Sequence, residues 1–350
     1  MNQPLVDRRQ VSATMEKELG NNMFIVAPNV WRLKDMFVNV FIIKNSDNSN
    51  FILVDAGLKS SAPKIKAMIA AVLEPNAAPT AIVMTHGHFD HRGSLQQLAD
   101  EWSIPVYAHH MEVPFLTGKS SYPPPDPTVG GGAMATLAFV YPRKAIDIGE
   151  FLKELPEDNS VPGMPEWRWI HTPGHTPGHT SLFRETDGVL ITGDAFVTTK
   201  QESVFSVMKQ TKIISGPPKY FTPDWGAAAR SVKELAALEP NVVATGHGPS
   251  FYGDEARKGL HKLARRFWEM AIPAHGRYVK EPALFNEDGV TYIPPMHKGY
   301  KLASIIGGTI LVAVGFYLFK RKNKRLGTAL MGTSITLFTN AFSKPKYEGR

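Results

Sequence analysis

The run His86-Gly87-His88-Phe89-Asp90-His91 places four potential metal ligands within six residues, directly after the apolar stretch Ala81-Ile82-Val83-Met84. Three imidazoles and a carboxylate this close cannot share a dry interior without a cation to organise them, because buried polar groups need partners and like groups crowd one another. The run therefore reads as a metal site at a strand end rather than as a solvated His-rich loop.

Three later stretches repeat the arrangement: Thr172-Pro173-Gly174-His175, Thr192-Gly193-Asp194 and Thr245-Gly246-His247-Gly248. Each follows a short apolar run, namely Trp167-Arg168-Trp169-Ile170, Val189-Leu190-Ile191 and Val242-Val243-Ala244. A strand that ends in a Gly-containing turn presents the next side chain from the sheet edge. Four strand ends are thus expected to offer ligands to one cleft.

Together with Asp55-Ala56-Gly57, which follows the strand Phe51-Ile52-Leu53-Val54, these elements resemble in order and spacing the metallo-β-lactamase superfamily of binuclear metallohydrolases, over residues 20 to 250. The resemblance implies an α/β fold, a four-layer αβ/βα sandwich. It also implies one metal held by His86, His88 and His175, a second held by Asp90, His91 and His247, and Asp194 bridging both. Two Zn²⁺ ions suit such neutral and anionic N/O donors, and iron or manganese accept the same ligands. Histidines recur at 171, 175 and 179, and the superfamily pattern selects His175, after the Pro-Gly pair. His171 then reads as a strand residue and His179 as a core or supporting one. His109 and His110 fall on no motif position, which leaves them a structural or pocket-rim role. Asp55 reads as a turn-stabilising carboxylate rather than a ligand.

The chain has no cysteine. Zinc β-lactamases of the resembled superfamily often use a Cys ligand on the second metal. This departure disfavours antibiotic hydrolysis and points toward the Asp-containing branch, with its glyoxalase II-like thioesterases, lactonases and RNA-processing nucleases. In that branch two cations would share a water whose pKa falls to about 7. The hydroxide would attack a polarised carbonyl or phosphorus, with Asp90 as the catalytic residue that orients it and carries a proton to the leaving group.

The remaining sequence alternates strands and helices, as an α/β sandwich requires. Strands are expected near 23–31, 36–44, 51–55, 81–85, 105–108, 167–171, 180–185, 188–192 and 241–244, with Glu185-Thr186-Asp187-Gly188 as a hairpin turn. Helices are expected near 61–74, 93–102, 224–238 and 254–271, the third capped by Asp224. Two Pro-, Gly- and Lys-containing stretches, 117–145 and 197–222, interrupt the pattern next to the ligand motifs and read as walls or lids of the cleft. The expected organisation is an N-terminal extension to 20, a catalytic domain over 21–250, a helical extension over 251–296 and a membrane anchor over 297–350.

That anchor rests on Leu302 to Phe319, eighteen residues without a charge, which span about 27 Å as a helix at about 1.5 Å per residue. The cluster Lys320-Arg321-Lys322-Asn323-Lys324-Arg325 follows and suits anionic lipid headgroups. A weaker segment, 326–342, is uncharged but carries four Thr, one Ser and one Asn. Residues 297–350 hold ten basic residues against one acid, a balance of +9, so the chain's +7 leaves −2 for residues 1–296. A slightly acidic catalytic part argues against a nucleic-acid substrate. Residues 1–20 contain no apolar signal segment, which favours a cytoplasmic catalytic domain associated with the membrane through its tail.

The sequence therefore leads to a membrane-tethered binuclear zinc hydrolase of a small-molecule ester, thioester or lactone. The alternative is a metal-dependent phosphodiesterase acting on a phospholipid or nucleotide, motivated by the lysines of 197–222 and by the basic tail.

Overall fold

Two mixed β-sheets are stacked face to face, each covered on its outer side by helices. The computed structural model describes residues 15–47 and 49–296, together with Ala313 and Tyr317. The first sheet contains, in spatial order, β1 (Lys17–Gly20), β2 (Met23–Ala27), β3 (Val30–Asp35), β4 (Val38–Lys44), β5 (Phe51–Val54), β6 (Ile82–Val83), β7 (Val106–Ala108) and β8 (Leu152–Glu154). It is antiparallel as far as β5 and parallel from β5 to β8. The second sheet contains β9 (Ser160–Val161), β10 (Met164–His171), β11 (Thr180–Arg184), β12 (Val189–Ile191), β13 (Val242–Ala244) and β14 (Phe251–Tyr252), again in chain order. Only β12 and β13 run parallel in it, since a long crossover joins them. A hairpin of β15 (Leu284–Asn286) and β16 (Gly289–Tyr292) closes the described chain.

The helices are α1 (Ala62–Val72), α2 (Leu95–Trp102), α3 (Val113–Leu116), α4 (Ala133–Thr136), α5 (Val204–Lys209), α6 (Trp225–Ala237), α7 (Gly253–Arg265) and α8 (Phe267–Met270). Strand periodicity assigns each apolar side chain to a layer. In β4, Val40 and Ile42 pack under α1 and α2 with Ile65, Met68 and Leu98, whereas Phe41 and Ile43 turn inward to the other sheet. In β12, Val189 and Ile191 face that same inter-sheet core, and Leu190 faces Val232 and Leu235 of α6 and Leu260 of α7. Four layers result, as expected for the sandwich.

Local departures from the expected elements have identifiable causes. The strand expected over 23–31 is two strands, because Asn29 takes a positive φ of 60° and turns the chain after Pro28. The helix expected over 254–271 breaks at Arg266, whose φ of −117° and ψ of 31° leave the helical region. That break turns Phe267 into the core beside Trp225 while Trp268 stays exposed. Residues 251–296, expected as a helical extension, begin with β14 of the second sheet, and α7 completes its outer layer. Likewise β1 begins inside the expected N-terminal extension. Among the described residues no helix is long and apolar enough to cross a membrane. Apart from Ala313 and Tyr317, the segments 302–319 and 326–342 lie outside the described residues.

Asp224 caps α6 as expected, its Oδ1 accepting the Ala227 N–H at 2.9 Å. The same helix braces the His175 loop, since Asp224 N–H donates to Gly174 O at 3.2 Å and Ser231 Oγ to Pro173 O at 2.7 Å. Asp224→Ala should lower unfolding stability by about 1 kcal/mol, the usual cost of losing such a cap, measured as a shift in denaturant midpoint at unchanged slope.

Candidate metal centre

The ends of β5, β6, β10, β12 and β13 lie at one edge of the sandwich and bring every motif residue there. His86, His88 and His175 form one trio, and Asp90, His91 and His247 another, the ligand atoms within each lying within 4.8 Å of one another. Asp194 joins His86 and His91 in a third overlapping group. Its Oδ2 lies 3.5 Å from His175 Nε2 and 3.1 Å from His247 Nε2, and its Oδ1 lies 3.6 Å from His91 Nε2. The carboxylate thus sits between the two trios. All seven side chains are buried.

Most of the rings are aimed from behind. Asp55 accepts the Thr85 N–H at 2.7 Å and the Thr85 hydroxyl at 2.8 Å, and pairs with His91 Nδ1 at 2.8 Å. His247 Nδ1 donates to the carbonyl of Phe37 at 2.6 Å. His86 Nδ1 meets the Thr85 hydroxyl at 3.0 Å, and His175 Nδ1 meets that of Thr222 at 3.4 Å. These four rings turn Nε2 toward the centre, whereas His88 presents Nδ1, 2.9 Å from His175 Nε2. Fixing one imidazole nitrogen so that the other faces inward is how proteins prepare histidine for a metal.

Among the described residues, His86 Nε2, His91 Nε2 and Asp194 Oδ1 are buried without a hydrogen-bond partner. Leaving such atoms unmatched is costly, and divalent cations at the two trios would satisfy all three. The donor set therefore fits a metal on chemical grounds. Burial holds the imidazoles of His86, His88 and His175 below their ordinary pKa, His175 at about 3, which favours the neutral form that could bind a metal. Burial opposes ionisation of Asp194, but His247 and His91 beside it hold its carboxyl well below the usual range. Burial raises Asp90, with His91 and His247 opposing the rise.

His179, set aside from direct ligation in the sequence, has a defined place. Its Nε2 accepts the Asp194 backbone N–H at 2.9 Å, so Nδ1 carries the proton and donates to Thr172 Oγ1 at 2.8 Å. It anchors the backbone of Asp194. His171 donates from Nε2 to Pro177 O at 2.8 Å and stacks on His109 at 4.0 Å, away from both trios. Burial, with His171 and His110 nearby, lowers His109 to about 3.

The two irregular stretches pack on each other and wall the site. Glu202 of the second accepts Met134 N–H at 3.1 Å through its carbonyl and Lys219 N–H at 2.9 Å through its carboxylate. Val129, Ala135 and Ala138 meet Tyr220 and Phe221, with Phe89 and Tyr141 alongside. Phe221 stacks on His88 at 4.6 Å, so the wall reaches the ligands themselves. Two lysines of the second stretch are engaged elsewhere, Lys212 with Glu255 at 2.7 Å and Lys209 over the Phe205 ring at 4.7 Å. This aromatic wall and the buried Glu112 carry no sequence motif. Only the placement of the long stretches beside ligand motifs pointed to the wall.

A family profile described as the metallo-beta-lactamase superfamily matches residues 33–247, more than half of the chain. The chain belongs to that superfamily and, with its His/Asp cluster, is a metal-dependent hydrolase. It is 44% identical over 244 residues to the probable metallo-hydrolase YflN of Bacillus subtilis (strain 168), covering 69% of this chain and 92% of that protein. It is 26% identical to the probable metallo-hydrolase YybB of the same organism, covering 63% and 86%. Among solved structures, Rm3 metallo-beta-lactamase aligns with a TM-score of 0.48 and 20% identity, over 71% of this chain and 84% of that one.

Proposed function

We propose that the protein is a binuclear zinc hydrolase that cleaves a carboxylic ester, thioester or lactone. The observation that carries this reading is the convergence of two buried trios on Asp194 with three inward atoms left unmatched. His86, His88 and His175 would hold one ion, Asp90, His91 and His247 the other, with Asp194 between them. Bound there, the metals would supply Lewis acidity toward the scissile oxygen and a water acidified to a pKa of about 7.

The chain's own residues supply the rest. Asp55 and the Phe37 carbonyl keep His91 and His247 from rotating away. His179 fixes the backbone of Asp194. Phe89, Tyr141, Tyr220 and Phe221 form an apolar wall that excludes water and would receive the uncharged part of a substrate. Asp90, whose Oδ2 lies 3.5 Å from His247 Nε2, would orient the attacking water and carry its proton to the leaving alkoxide or thiolate. An apolar wall suits a neutral acyl group better than a phosphodiester, and the engaged lysines point the same way. Attachment to the inner membrane surface through 302–319 completes the proposal, on sequence alone. Fractionation of the full chain with and without residues 297–350 tests that part.

The catalytic test is hydrolysis by the zinc-loaded protein across thioesters, lactones, aryl esters and phosphodiesters, with Asp194→Ala as the blank. Activity confined to carboxylic substrates is expected. Activity confined to phosphodiesters would replace this reading with the phosphodiesterase alternative, and turnover equal to the blank throughout would overturn both.

A further inference from the structure

Glu112 lies outside both trios, yet its carboxylate is fully enclosed and ties together the two loops that carry the first of them. Its Oε2 accepts the Gly87 N–H at 2.9 Å and the Tyr122 hydroxyl. Its Oε1 accepts the Thr176 hydroxyl at 2.7 Å and the Gly178 N–H at 2.9 Å. Gly87 stands between His86 and His88, and Thr176 follows His175 directly. One side chain therefore spans a loop of the first sheet and a loop of the second.

Both glycines admit this approach. A Cβ at Gly87 would lie 2.7 Å from the Tyr122 hydroxyl, and one at Gly178 would lie 2.7 Å from Glu112 N and 2.8 Å from Glu112 Cγ. Any larger residue would push its loop off the carboxylate. Tyr122 adds a second hold, since its hydroxyl also accepts the Gly87 N–H at 2.9 Å and its ring packs 4.5 Å from His88.

The two trios differ in how they are oriented. His91 and His247 have short outward hydrogen bonds of 2.8 and 2.6 Å, and neither touches Glu112. In the first trio the outward bond of His175 is long, at 3.4 Å. The His88 imidazole makes no hydrogen bond among the described residues except the one to His175, and is held by ring contacts that include Tyr122 and Phe221. Its position depends on where the backbone places it, and Glu112 sets that backbone. We infer that Glu112 is a positioning residue for the first metal, fixing the separation of the His86/His88 loop from the His175 loop. It thereby tunes that trio independently of Asp90, His91 and His247. The inference rests on the two-metal reading above.

An ionised carboxylate accepts at both oxygens, whereas a glutamine would turn an NH₂ toward either Gly87 N–H or Gly178 N–H, donor against donor. The test is titration of the full-length, chelator-stripped protein with Co²⁺ alone, followed by its visible absorption. His88→Ala and His247→Ala assign the two binding steps. Glu112→Gln should weaken the first-trio step by roughly 10–100-fold, the usual cost of losing an outer-shell partner, while the other step moves by less than about twofold. Tyr122→Phe and Thr176→Val each remove one hydroxyl donor and should weaken the same step by less. They decide the matter if the glutamine variant does not fold. Equal weakening of both steps, tracking a fall in the melting temperature of the metal-free protein, would mean a merely structural role and overturn the inference. So would an unchanged first step in the variants that fold. A wild-type protein that binds fewer than two Co²⁺ ions would overturn the two-metal reading itself, and the inference with it.

Discussion

Replacing Asp194 by alanine should leave a folded protein that binds fewer than two metal ions and hydrolyses no substrate. The carboxylate lies within 3.6 Å of three ring nitrogens drawn from both trios, so its loss touches both proposed ion sites at once. The effect should exceed the roughly 10–100-fold loss of metal affinity that follows removal of an outer hydrogen-bond partner, because a ligand itself is gone. The fold should persist, because the three apolar clusters of the sandwich do not include Asp194. Metal analysis after exhaustive dialysis, paired with circular dichroism, checks both halves. Full metal content and turnover in a folded Asp194→Ala protein would end the bridging assignment.

The second large effect is expected at Gly246. An added methyl would lie 2.2 Å from Asp194 Oδ1 and 2.8 Å from His91 Cε1. The backbone cannot retreat, because Gly246 N–H donates to Gly193 O at 2.7 Å and Gly246 O accepts Asn39 N–H at 2.8 Å. Asn39 Nδ2 further ties Thr245 O and Gly248 O, each at 2.8 Å. Gly246→Ala must therefore displace Asp194 or His91, with an overpacking cost of about 1–3 kcal/mol. It should lose bound metal and turnover together. Gly226→Ala is the matched control, since its methyl would meet nothing nearer than 3.4 Å and it sits in α6. Comparable metal loss in both variants would show that the crowding argument is wrong.

The sequence showed which side chains could meet, because ligand chemistry belongs to individual residues and each ligand followed an apolar run that proved to be a strand. Asp55, Asp90 and Asp194 were legible for that reason, and β4, β5 and β12 were legible as apolar runs. Glu112 was not legible. It stands in His109-His110-Met111-Glu112, and the groups it binds at Thr176 and Gly178 are 64 and 66 residues away. Strands β8, β9 and β14 run for only two or three residues, too few for a period to show. The turn at Pro28-Asn29 was a readable signal that the apolar run from 23 to 31 concealed. The role of His179 depended on a backbone N–H that no residue pattern reveals.

Neither half of the chain owns a complete centre. The first sheet contributes His86, His88, Asp90 and His91, and the second contributes His175, Asp194 and His247, so each trio straddles the interface between them. During synthesis the first four emerge long before their partners, and His247 is the last of the seven to arrive. On the proposed two-metal reading, durable metal capture would be deferred until both sheets have docked. Occupancy would then certify a finished molecule, and a chain interrupted before β13 would hold at most a leaky half-site.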